Sequence, residues 1–225
     1  MAEQSGIPHW IDFYRKVKLT YLFDDGEWDA FLAEYRGDAE HQFQFAFVSL
    51  ARGDLDAARR GSVDLIEAAG RSGRTDERAE PLALRVLVLR ALQDQQAPDA
   101  VDELVSLLPT IALWLGTTPL IGLILADAGR GDALLAATEA VPTSPILQAV
   151  RLYASGDFAA AADGFAESEE PLIEALARLR AGERLVGEGQ HAQADGELRR
   201  ALAFFRKARA TMFIDEAEQL LSATA

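Results

Sequence analysis

LVSLLPTIALWLGTTPLIGLILA, Leu104 to Ala126, carries no charged side chain in a chain of which 26% of residues are charged. A stretch this long and apolar is either a membrane crossing or the middle of a buried core, and the choice decides the fold. A spanning helix needs about 20 apolar residues in unbroken helical geometry. Pro109 interrupts any helix begun near Ala100, because it has no amide hydrogen and its ring collides with the preceding turn. Gly116, Thr117, Thr118 and Pro119 then spell a turn followed by a helix-starting proline. Neither flank carries the Lys/Arg cluster or the paired aromatic anchors of a membrane crossing, and Trp114 sits alone in the middle. The stretch reads as helix ends and a helix start buried from several sides inside a larger helical array, with no membrane association.

The surrounding composition agrees with that reading. The 225 residues are 49% hydrophobic with a mean hydropathy near zero, which suits a packed core and not a disordered chain. Ala, Leu, Glu and Arg dominate, and no strand-rich block competes, so the expected class is all-α. The formal charge of −14 and pI near 4.6 argue against nucleic acid, whose phosphates are held by a surplus of Lys and Arg. There is no cysteine, which excludes disulfides, thiol chemistry and thiolate metal sites. The opening residues after Met1, AEQSGIPHW, lack a basic segment leading into an apolar one, so a cytoplasmic location is expected.

A repeat emerges on either side of the uncharged stretch: an apolar helix, a polar turn, then a second helix with a small residue about five positions on. The turns read as Gly53-Asp54, Gln95-Gln96, Gly131-Asp132, Gly156-Asp157 and Gly189-Gln190, followed by Ala58, Ala100, Ala136, Ala161 and Ala194. Glycine ends a helix in the left-handed conformation without a Cβ clash, and alanine lets the second helix approach the first. Larger apolar residues recur at helical spacing, as in Leu104 with Leu107, Phe165, and Leu198 with Leu202. HQFQFAFVSL, His41 to Leu50, alternates like a strand for six residues, yet it runs into the first Gly-Asp turn without a strand partner and reads as the first helix of a repeat. Ile7 to Phe23 and Trp28 to Tyr35 read as two helices before it. Arg71 to Pro81 reads as a linker, and Thr211 to Ala225 as an amphipathic final helix whose Met212, Phe213, Ala217, Leu220 and Leu221 cover the last repeat.

On these turns and small positions the chain resembles tetratricopeptide repeats, whose period is about 34 residues. The matching segments are AGERLVGEGQHAQADGELRRALAFF, Ala181 to Phe205, with Gly182, Ala194, Leu198 and Ala201 in register, and LQAVRLYASGDFAAAADGF, Leu147 to Phe165. The signature Trp and closing Pro are mostly missing, so the likeness is to a degenerate member. Leu198 to Ala225 further resembles the C-terminal repeat region of multidomain bacterial regulators that carry a nucleotide-cyclase or regulatory ATPase domain. The chain has no Gly-x-x-x-x-Gly-Lys loop and no cyclase segment, so the resemblance implies a sensor or scaffold portion. The Arg-to-Lys ratio, with Lys16, Lys18 and Lys207 the only lysines, accords with a GC-rich bacterial genome. The implied architecture is a right-handed α-solenoid over residues 1–225, with capping helices in 1–40, repeats in 41–209 and a C-terminal cap in 210–225.

No catalytic signature appears. His9, His41 and His191 have no second ligand at helical spacing, the acidic pairs Asp24-Asp25 and Glu167 to Glu170 lack a calcium-loop pattern, and no serine lies in a nucleophile elbow. No catalytic residue, metal or cofactor is expected, and the chain reads as a noncatalytic module that binds a protein or peptide, or else senses a small molecule. Two features suit binding. Arg90, Arg151 and Arg184 share one position of the first helix in three repeats, with Tyr153 and Arg180 nearby, and arginine forks suit carboxylates and phosphates. Against that stands local pairing of each arginine with an excess of Asp and Glu. The second feature is Trp10, Phe13, Tyr14, Tyr21 and Phe23, interleaved with Arg15, Lys16 and Lys18. A basic aromatic stretch of this kind stacks on nucleic acid or inserts at a membrane surface; it reads more simply as a cap over the first repeat or an interface, a homodimer included.

Overall fold

The structure is a computed structural model that describes residues 6–72, 74, 76–116 and 118–223, which form helices and turns with no strand among them. In chain order the helices are α1 (Gly6–Asp24), α2 (Trp28–Glu34), α3 (Gln42–Ala51), α4 (Leu55–Ser72), α5 (Ala79–Ala91), α6 (Ala97–Ser106), α7 (Leu108–Ile111), α8 (Pro119–Leu125), α9 (Gly131–Thr138), α10 (Pro145–Ala154), α11 (Phe158–Glu167), α12 (Pro171–Gly187), α13 (His191–Ala208) and α14 (Thr211–Ser222). Short 3₁₀ turns lie at Ala39–His41, Asp76–Arg78 and Ala112–Trp114. The uncharged stretch breaks where its prolines require: Pro109 sits in the first turn of α7 and Pro119 opens α8. Leu104, Ile111, Leu115 and Ile121 to Leu125 are buried, whereas Leu113 and Trp114 reach the surface. No helix among the described residues is long and apolar enough to cross a membrane.

Three of the expected turns have their left-handed residue where predicted, and two have it two residues earlier. Gly53, Gly156 and Gly189 hold positive φ, and Asp54 and Asp157 each accept the backbone amide three residues on, so turn and helix start are built by adjacent residues. Between α5 and α6 the left-handed residue is Gln93, with φ of 53°, and Asp94 accepts from Gln96 N at 2.8 Å. The third turn is not at Gly131-Asp132. Gly129 takes φ 77° and ψ 22° inside a widened turn, Ala126–Arg130, while Gly131 already belongs to α9. A Cβ on Gly131 would run into the carbonyl oxygen of Ala154, so its glycine serves close approach. The expected small position moves with the turn: Ala136 is exposed and Leu134 is fully buried. The linker is shorter than Arg71 to Pro81, since α4 runs to Ser72 and α5 starts at Ala79; residues 73 and 75 lie outside the described set.

Close packing follows from the small residues. A Cβ on Gly182 would lie 2.5 Å from Leu198, and one on Gly61 2.7 Å from Ala46, so α12 meets α13, and α4 meets α3, at nearly backbone distance. Ala58, Ala161, Ala194 and Ala201 are fully buried on the second helices of their hairpins. Neighbouring helices pair as hairpins, α3 with α4, α5 with α6, α10 with α11 and α12 with α13.

The array closes on itself. α3 packs on α5, α5 on α8, α8 on α12, α12 on α14, and α14 returns to α3. Aromatic rings make this joint. Phe213 of α14 stacks on Phe205 at 5.0 Å and approaches Phe47 of α3 at 6.4 Å. Trp28, fully buried, sets its edge against Phe47 and Phe204, and its indole N–H donates to Phe23 O at 2.9 Å. Each such ring stabilises the fold by about 1.5–3 kcal/mol through burial. Arg52 donates to Ala208 O at 3.0 Å and pairs with Asp29 at 2.9 Å, and Lys207 pairs with Glu27. The final helix thus covers α3 as well as α13. A buried arginine ties the outer layer together: Arg178, 5% exposed, meets Glu174 of its own helix at 2.6 Å, Glu197 of α13 at 2.7 Å and Asp163 of α11 at 3.1 Å.

Candidate functional site

Because α5, α8 and α12 run side by side, their ends gather at two openings. The C-terminal opening is a cleft of about 570 Å³ lined by Arg90, Asp127, Phe158, Arg180, Glu183, Arg184 and Glu216. Its floor is Asp127, which the widened turn after α8 presents. The buried Tyr153 hydroxyl donates to Asp127 Oδ1 at 2.6 Å, and Arg180 Nε lies 3.4 Å from Oδ2. Arg180 Nη1 also bonds Glu183 and Glu216, each at 2.6 Å. This stacks a carboxylate of α14 on α12 and α12 on the α8 turn.

Burial sets the protonation of this group and the charges then correct it. Desolvation pushes the Asp127 carboxyl up from the ordinary aspartate range, with Arg180, the Tyr153 hydroxyl and Arg90 pulling the other way. Tyr153 is driven well above the usual phenol value, first by burial and then by the charge of Asp127. Burial opposes the charge on Arg180, but Glu216 and Asp127 outweigh it and hold the guanidinium more firmly protonated. The cleft therefore presents fixed charges of both signs, three arginines against Asp127, Glu183 and Glu216. This suits a polar group bearing both signs.

The predicted arginines divide. Arg90, Arg180 and Arg184 line this cleft, with Tyr153 beneath it. Arg151 does not join them: it points back onto the end of α9, donating to Thr138 O, to Val141 O at 3.1 Å and to Thr143 Oγ1 at 2.8 Å. There it satisfies carbonyls that a helix C-terminus leaves without partners. Arg184 donates to Gly156 O and pairs with Glu188 at 2.8 Å, so its fork is largely occupied by its own chain. Sequence reasoning missed Asp127, Glu183 and Glu216, and also Arg178 with its three carboxylates. Asp127 lies in a turn that was misplaced by two residues, and Glu216 comes from a helix that only the closed array brings near.

The opposite opening, about 180 Å³, lies at the N-terminal ends of α3, α5, α8 and α12 and is walled by Phe23, Phe43, Leu120, Ile121, Leu172 and Ile173. Its polar groups include the carboxylates Asp24, Glu80 and Glu170. Burial raises all three, and the charge of Asp24 raises Glu170 further. No group of three or more acidic or histidine side chains among the described residues has metal-binding geometry.

The predicted aromatic face lies on α1. Trp10, Ile11, Phe13, Tyr14, Val17 and Tyr21 are 36–67% exposed, whereas Leu19 and Phe23, on the opposite side of the same helix, are buried. Trp10, Phe13 and Tyr14 touch one another with ring centres 6.0–6.4 Å apart. The cations of this helix face the body: Arg15 grips Asp38 at 2.6 Å, Lys16 meets Glu40 at 3.0 Å, and Lys18 bonds Glu34. The basic aromatic stretch read from sequence therefore separates into an internally paired basic side and an aromatic outer side. The Arg15 guanidinium holds the Asp38 carboxyl down at about 2.

Comparison with known proteins gives no match: no family model, no curated protein and no solved structure matches the chain.

Proposed function

We propose that this protein is a noncatalytic interaction module, a set of degenerate tetratricopeptide-like hairpins in right-handed succession, curved until the ends meet. Its docking surface is the outer face of α1. One observation carries the reading: large apolar side chains, Trp10, Tyr14 and Tyr21 among them, stand more than half exposed along a single helix face. Exposed aromatic surface of this extent marks a contact site in a folded protein. The arginine row supports binding less well, because Arg151, Arg180 and Arg184 spend their donors on their own chain. A photo-crosslinking residue at Tyr14 should capture a protein of defined mass, a second copy of this chain included, while one at Arg90 should not. Capture at Arg90 alone would move the docking surface to the cleft.

A second reading, a small-molecule sensor, rests on the cleft floored by Asp127. Its volume lies in the range of ligand pockets, but its lining is charged where such pockets are mostly apolar. A small molecule carrying both an ammonium and a carboxylate should raise the unfolding temperature through this cleft, and Asp127→Asn should abolish that rise.

A further inference from the structure

We infer that the occupant of the α1 face is a second copy of this chain, packed antiparallel about a two-fold axis; this rests on α1 being the docking surface. Trp10, Tyr14, Val17 and Tyr21 follow the alternating four- and three-residue steps of a coiled-coil seam, and this stripe points away from the side that buries Leu19 and Phe23. The stripe matches itself. About the point midway between Arg15 and Lys16, Trp10 stands opposite Tyr21 and Tyr14 opposite Val17, so an antiparallel second helix sets large rings against each other at both ends and Tyr against Val in the middle. A two-fold interface requires such self-complementarity.

Area and charge both fit. The exposed fractions of Trp10, Ile11, Phe13, Tyr14, Val17 and Tyr21 amount to about 700 Å² per copy when a large side chain offers roughly 200 Å². Two copies that cover all of it bury about 1,400 Å², near the lower end for a stable specific interface. The four stripe residues carry no charge, and Arg15, Lys16 and Lys18 are paired within the chain. The bodies behind the seam carry −14 each, so they repel, and salt should tighten the association by screening them. The same net charge disfavours an anionic membrane surface as the occupant.

The experiment is light scattering on the full chain from 1 to 100 µM, beside Val17→Glu, a change at a partly exposed position that leaves the core alone. The chain should move from 24.4 kDa to twice that mass, at lower concentration in 300 mM than in 20 mM salt. Val17→Glu should keep its helicity and unfolding midpoint while weakening the dimer at least tenfold. Since the chain has no cysteine, introduced thiols report the register: oxidising a mixture of Tyr14→Cys and Val17→Cys chains should give mainly the mixed disulfide. Same-residue disulfides would overturn the antiparallel arrangement, and a dimer indifferent to Val17→Glu would place the interface elsewhere. A chain monomeric at 100 µM overturns self-pairing, whether or not it sediments with phosphatidylcholine vesicles. In that event a heterologous crosslink at Tyr14 would leave α1 as a docking surface, and no crosslink there would remove that reading as well.

Discussion

The two openings of the helix ring are built from the same helices and solve opposite electrostatic problems. At the N-terminal end of α5, α8 and α12, backbone N–H groups point outward and the helix dipoles favour negative charge; there Glu80 and Glu170 sit against an apolar wall, beside Asp24 at the C-terminus of α1. At the C-terminal end, carbonyls point outward and arginine is favoured; there Arg90, Arg180 and Arg184 interleave with Asp127, Glu183 and Glu216. One end sets its carboxylates against apolar side chains. The other ties them into a network that joins α8, α12 and α14. The C-terminal end fastens the ring, whereas the N-terminal end places at its rim carboxylates whose ionisation burial opposes.

Both openings depend on closure, so the largest effect belongs to the joint between α14 and α3. Phe213→Ala removes a ring that is 6% exposed and stacked on Phe205. It should destabilise the chain by about 3–5 kcal/mol, the usual range for a buried Phe, read as a shift in the urea midpoint. A loss below about 1 kcal/mol, the level of a surface change, would mean that α14 rests on α3 without holding it.

Next comes the network itself. Arg180→Met keeps the apolar stem and leaves Asp127, Glu183 and Glu216 facing one another without their shared cation. With Arg180 23% and Asp127 28% exposed, the expected loss at pH 7 is about 2–3 kcal/mol, short of the full penalty for a wholly buried ion. The deficit should shrink as the pH falls and the orphaned carboxylates protonate. A deficit that does not change with pH would assign Arg180 to packing alone. Tyr153→Phe is milder: Asp127 loses one donor but keeps Arg180, so a loss of about 1–2 kcal/mol follows, measured in the same titration.

How far the sequence reveals each region depends on the range of its causes. The broken apolar stretch was legible, because Pro109 and Pro119 act on their own turns. So were the turns at Gly53, Gly156 and Gly189, where glycine is followed directly by its helix. Gly129 was misread because two glycines lie two residues apart, and only packing against Ala154 shows that Gly131 serves contact while Gly129 makes the turn. Gln93 escaped because a non-glycine residue takes positive φ there. The aromatic content of α1 was plain, yet which side faces outward depends on Leu19 and Phe23 meeting the body. Least visible were Glu216 over Arg180 and Phe213 near Phe47, since ring closure alone brings those residues together.

The smallest effect tests the acidic opening, and its sign is what matters. Glu170 begins α12, where the helix dipole favours a carboxylate by about 0.3–1 kcal/mol, while burial and the charge of Asp24 disfavour it. The shift is upward, from burial first and the charge of Asp24 second, so on these two causes the ionised side chain weakens the fold at neutral pH. A folded-state pKa above the unfolded one gives stability that is full below the unfolded value and is lost as pH rises through the folded value. Glu170→Gln, neutral at every pH, should therefore match the parent near pH 4 and exceed it by a few tenths of a kcal/mol at pH 7, a modest gain because the group is partly solvated. Thermal unfolding across that range decides it. A variant that loses stability toward neutral pH would put the dipole in command, and the N-terminal end would then be fastened by its charges just as the C-terminal end is.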